Sequence, residues 1–165
     1  MQDAHPPAPA LRVTAWLNTP APIDLESLRG RVVVLHAFQM LCPGCVAHGL
    51  PQATRIHEAF ADSGVTVIGL HTVFEHHDVM TLRALEVFVR EYGLAFPIGV
   101  DQPAVVDSIP LTMQQFQLGG TPSIIVLDRQ GRIRLNHLGR IDDLLLGALI
   151  GRLQEEVSDT TGRSG

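Results

Sequence analysis

Cys42-Pro43-Gly44-Cys45 is the segment whose residue types and spacing point most directly to chemistry. A thiolate is the nucleophile in disulfide exchange, and an unperturbed thiol with a pKa of ~8.5 is mostly protonated at neutral pH. At a helix N-terminus the unpaired backbone N–H groups carry roughly half a positive charge, which favours the anion. Two intervening residues put Cys45 one turn along the same helix, in reach of a mixed disulfide formed at Cys42. Pro43 suits the first helical turn, where its missing N–H is not needed. Cys42 is therefore the expected attacking thiol and Cys45 the resolving one. Two other readings of the pair stay open at this point, a metal half-site and two inert thiols. A structural zinc site needs four ligands, and the chain has 2 cysteines.

The elements around the pair fit the redox reading. Val32–Phe38 is a near-continuous apolar, β-branched run, the pattern of a strand buried on both faces of a sheet. Beyond Cys42, Val46, Leu50, Ala53, Ile56 and Phe60 recur at helical spacing, and Pro51 predicts a kink because it cannot donate to the carbonyl of Ala47. Val65–Leu70 reads as a second buried strand. Thr81–Tyr92 reads as a helix capped by Thr81, with Leu82, Leu85, Val89 and Tyr92 inward and Gly93 past its end. Short strands are expected near Arg12–Leu17 and Phe96–Val100, and one helical turn at Leu25–Gly30. Ser123–Leu127 and Ile133–Leu138 flank Asp128-Arg129-Gln130-Gly131, a hairpin signal, and Asp142 caps a last helix carrying Leu145, Leu149 and Leu153. The order is that of an α/β layered sandwich of mixed strand pairing.

Composition sets the bounds. At 165 residues the chain makes one domain, with 45% hydrophobic and 18% charged residues, apolar enough to fold. Its formal net charge of -5 offers no broad basic footprint, so nucleic acid is not an expected partner. All 12 basic residues are arginine, which excludes a lysine Schiff base and a phosphate-loop lysine. Apolar runs fall short of the ~18–20 residues of a membrane span. Residues 1–10 and 158–165 are expected as flexible tails around a domain at 11–157. Met1–Pro7 has neither a basic nor an apolar signal region, so a cytoplasmic location is expected for the chain as written, or an extracytoplasmic one if a signal has been removed.

Taken together, the strand Val32–Phe38, the Cys42–Cys45 motif, Tyr92-Gly93-Leu94-Ala95-Phe96-Pro97 with Asp101, and Gly119-Gly120-Thr121-Pro122 through Gly131 resemble the thioredoxin-fold superfamily. The likeness is in particular to the TlpA/ResA-like thiol–disulfide oxidoreductases and the broader AhpC/TSA-redoxin group, over about Leu11 to Val157. The resemblance implies a three-layer sandwich, a central mixed sheet flanked by helices, with an N-terminal β extension. It also implies a cis peptide at Thr121-Pro122 facing the cysteines, where backbone pairs with an extended substrate chain. The expected partner is then a protein disulfide or dithiol, the redox group is the Cys42–Cys45 disulfide with no other cofactor, and a monomer is the expected state.

Where the family pattern is broken, histidine enters. Many members carry Trp before the first cysteine, and here Leu41 stands there. Thioredoxins bury an Asp where this chain has His36, and TlpA-like proteins commonly have a Glu where it has His48. His36 and His48 are therefore the candidates for relaying a proton to or from Cys45. Phe38, Met40, Leu41 and Pro43 form an expected apolar rim for a protein partner.

Further along, His71, His76 and His77 cluster with Glu75 and Asp78, a set that could bind metal but reads more plainly as a solvated loop. A copper carrier using the cysteines and a histidine is the first alternative, although Sco-type proteins space their cysteines by three residues. A weak peroxiredoxin-like peroxidase is the second. Leu35 and Gln39 occupy the positions where that group's pattern has Pro and Thr, so efficient peroxide chemistry is not expected.

Overall fold

A computed structural model describes residues 5–157. Six strands form one sheet: β1 (Val13–Leu17), β2 (Val32–Phe38), β3 (Val65–His71), β4 (Ile98–Asp101), β5 (Ser123–Leu127) and β6 (Ile133–Leu138), in the order β1-β4-β3-β2-β5-β6. β2, β3 and β4 run parallel, while β1, β5 and β6 each pair antiparallel with their neighbours. The helices are α1 (Leu50–Ala59), α2 (Leu82–Glu91), α3 (Leu111–Gln115) and α4 (Asp143–Glu155). Every residue of β2 is buried, as its unbroken apolar run requires of a strand covered on both faces. Its alternate residues feed two cores. Val32, Val34 and Phe38 pack with Leu50, Ile56, Leu85, Ile150 and Leu153, and Val33, Leu35 and Ala37 pack with Ile68, Met113 and Phe116. This is the expected three-layer mixed sandwich, with β1 as its N-terminal addition. Among the described residues no helix is long and apolar enough to cross a membrane.

Several local expectations need correction. α4 turns Leu146, Ile150 and Leu153 inward and leaves Leu145 67% exposed. Steps of four, as in Leu145–Leu149–Leu153, drift by about 40° each, whereas steps of four and three hold one face. Asp142 does cap this helix, accepting from the Leu144 and Leu145 amides. In α2 only Leu85 and Val89 are buried, Leu82 and Tyr92 lying outside, and Thr81 caps it as expected. Nothing in the periodicity announced α3. Its N-terminus is capped from a distance: the buried Asp101 carboxylate accepts the Thr112 and Met113 amides at 2.8 and 2.9 Å. Burial raises the pKa of Asp101, against the pull of those bonds.

The stretch expected as an N-terminal tail contributes backbone pairing. The Ala8 amide donates to Gly131, and Ile133 donates to Pro6 at 2.8 Å, so residues 6–8 run along the start of β6. The expected tail at 158–165, and residues 1–4, lie outside the described residues.

Candidate active site

β2 ends at Phe38, and helical structure begins at Pro43, with the Cys42 carbonyl accepting the Val46 amide at 3.1 Å. The kink expected at Pro51 takes the form of a π-helical segment, Cys45–Gly49, in which the Leu50 amide reaches back to the Cys45 carbonyl. Pro51 has no N–H for the preceding turn, and a widened turn absorbs that mismatch. Both thiols are free. Cys42 is partly exposed. Its Sγ accepts the Cys45 amide at 3.3 Å and donates to the Thr121 carbonyl at 3.5 Å. Cys45 is fully buried, and its thiol is pushed up to about 12, by burial first and by its hydrogen bond with Cys42 second. The two cysteines therefore have different environments, Cys42 partly exposed between an amide donor and a carbonyl acceptor, Cys45 buried.

The Thr121-Pro122 bond is cis. The Pro122 ring lies against the helix start, so close that a Cβ on Gly44 would sit 3.3 Å from its Cδ. His36 is 2% exposed and neither ring nitrogen has a partner. Its edge presses on Gly49, where a Cβ would come within 2.5 Å of the imidazole carbon. Burial lowers its pKa to about 4, so the ring is neutral at physiological pH. His48 is exposed. Both histidines line a cavity of about 340 Å³ bounded by Ala47–Gly49 and Gln52, by Pro122–Ile124, and by the β6–α4 loop Gly139–Asp143. Neither cysteine lines it.

One expectation and one lesser alternative fail. The apolar rim shrinks to Leu41 and Pro43, because Phe38 and Met40 are 0% and 7% exposed and belong to the core. The histidines at and beyond the end of β3 do not converge: His71 is buried against Met40, His77 bonds the Ser108 carbonyl, and no set of three or more His, Cys, Asp or Glu among the described residues is placed to hold a metal ion. Two residues named in the sequence for other reasons, Gln39 and His71, stand at the site. Gln39, 1% exposed, accepts the Phe74 amide with its side chain and the Cys42 amide with its carbonyl. His71 accepts the Met40 amide at 3.3 Å. A polar residue interrupting an apolar strand-end was the only available signal for either.

The chain matches the Redoxin family model over residues 4–143. It is 54% identical to a thiol-disulfide isomerase of Corynebacterium glutamicum, with a TM-score of 0.86 covering 91% of this chain and 98% of that one. A thioredoxin-like superfamily protein of known structure is 47% identical, with a TM-score of 0.90 over 92% and 98% of the two chains. The protein DipZ of Mycobacterium tuberculosis is 30% identical over 152 residues, 88% of this chain and 20% of its own length, so the chain spans a fifth of that relative. Fold and relatives agree, and the chain belongs to the Redoxin family, with a thioredoxin-like fold.

Proposed function

We propose that this protein exchanges disulfides with a protein partner through Cys42 and Cys45. The observation that carries the reading is the asymmetry of the pair: a partly exposed Cys42 whose sulfur lies between an amide donor and the Thr121 carbonyl, one turn from a buried Cys45. The Cys42 thiolate attacks one sulfur of the partner disulfide. That S–S bond breaks, a Cys42–partner disulfide forms, and the first partner sulfur leaves as a thiolate. Cys45 then loses its proton and attacks the Cys42 sulfur, releasing the second partner thiolate. The partner gains two electrons and the Cys42–Cys45 pair loses them, and the same steps reversed deliver a disulfide.

Thr121 and Pro122 shape the docking side, opposite the helix start. Cys45 with a pKa near 12 resolves only if its proton is removed, and burial makes His36 too weak a base to hold it. His48, three residues beyond Cys45 and exposed, is the imidazole able to pass a proton to solvent. His36 serves as the wall against which that segment packs.

Insulin reduction, followed by turbidity with dithiothreitol as electron source, tests the reading. Wild type accelerates the reaction, Cys42→Ser abolishes the acceleration, and Cys45→Ser accumulates a mixed disulfide at Cys42. Equal rates for wild type and Cys42→Ser would remove the proposal. Single-turnover resolution in His48→Ala and His36→Leu tests the relay: the first slows the step, and unchanged rates in both discard it.

A further inference from the structure

The three residues between β2 and Cys42 decide where the attacking sulfur sits, and they have no strand partner of their own. Gln39 and Met40 are buried, so their amides and carbonyls need acceptors and donors inside the protein. The Gln39 carbonyl takes the Cys42 amide at 3.1 Å, and its side chain bridges to the Phe74 amide at 3.2 Å and the Glu75 carboxylate at 3.3 Å. The Met40 amide has one acceptor, the Nε2 of His71, at 3.3 Å. His71 closes β3 directly beside Phe38, its register partner in β2, and the two rings lie 5.2 Å apart. Strand pairing thus brings an imidazole acceptor to the point where the chain leaves the sheet for the cysteines.

We propose that His71 is a positioning residue for disulfide exchange, its Nε2 holding the Met40 amide so that the Gln39–Leu41 turn presents Cys42 at the helix start. The role rests on the exchange reading above. It requires the tautomer with the proton on Nδ1. The ring is 1% exposed, and burial lowers its pKa to about 4, which keeps Nε2 an acceptor at neutral pH. A carbonyl oxygen at the same reach does the same work, whereas a ring of equal bulk without an acceptor does not.

The test compares His71→Gln, which restores an acceptor, with His71→Phe, which restores volume. The readout is the rate of Cys42 alkylation by iodoacetamide in the Cys45→Ser background, a reaction that needs no partner protein. The expected result is a Gln variant within about twofold of wild type and a Phe variant slowed roughly tenfold, the size of one lost buried hydrogen bond. Equal rates for the two, or a Phe variant at the wild-type rate, overturn the proposal. Should both variants fail to fold, nitrogen-15 spectra of the wild-type imidazole decide instead: a protonated Nδ1 with acceptor Nε2 supports it, and a protonated Nε2 overturns it. Failure of insulin reduction with Cys42 alkylation intact removes the exchange reading and leaves the His71 geometry standing.

Discussion

His36 and His71 lie on neighbouring strands, on the same face of the sheet, with the Phe38 ring between them at 6.2 and 5.2 Å. They are equally buried, at 2% and 1%, and burial lowers both to about 4. They differ in what their nitrogens meet. His71 accepts a backbone amide that nothing else satisfies, while both nitrogens of His36 are unpaired beside a cavity. One imidazole therefore contributes a bond that the fold needs, and the other makes no hydrogen bond to the protein and faces the cavity. The same residue type, at the same depth, anchors the entry to the cysteine motif on one side and leaves an unspent polar group on the other.

Acid exposes what the two share. The unfolded chain protonates each ring near 6.5 and the folded chain only near 4, so unfolded protein binds more protons between these values. Stability is fully present above about pH 6.5 and falls as pH drops toward 4, by on the order of 3 kcal/mol for each ring. Urea unfolding at pH 7 and pH 4.5 measures the loss, and replacing either histidine by leucine removes its share. At pH 7 the two replacements part company. His71→Leu strands the Met40 amide and costs about 1–3 kcal/mol. His36→Leu removes no hydrogen bond to the protein and costs less than His71→Leu. Two losses of equal size would break the comparison.

Gly49→Ala sharpens the His36 side alone. Its Cβ would lie 2.5 Å from the ring and 3.1 Å from Pro122, so ring or helix must shift, at about 1–3 kcal/mol, read from the midpoint of chemical unfolding. The smallest effect belongs to the cavity's outer wall. Arg55 and Asp143 pair at 2.9 Å but are 56% and 54% exposed, and Arg55→Ala changes stability by no more than about 1 kcal/mol in the same assay.

Much of this was legible in the sequence, for identifiable reasons. The β2 run, the Thr81 and Asp142 caps and the Asp128–Gly131 turn are local signals. In that turn the buried Asp128 accepts the Gln130 and Arg132 amides, so sequence neighbours supply the structure. Cys42 and Cys45 declared themselves through spacing. What stayed hidden depends on groups distant in the chain. α3 is five residues long and is capped by Asp101, ten residues upstream. His71 meets Met40 across 31 positions, a contact made only by strand register, and in the sequence it reads as one more member of a polar loop. Phe38 and Met40 were expected at the rim because they border a functional motif, yet Phe38 is the last residue of β2 and both side chains belong to the core.

The most direct test of the account is the two-electron state of the cysteine pair itself. Wild-type protein equilibrated across dithiothreitol redox buffers, quenched with acid, then alkylated in denaturant and weighed by mass spectrometry, passes between an unlabelled and a doubly labelled form, with all label on Cys42 and Cys45. A protein labelled to the same extent at every buffer ratio, or one whose Cys42 is never labelled without denaturant, would contradict it.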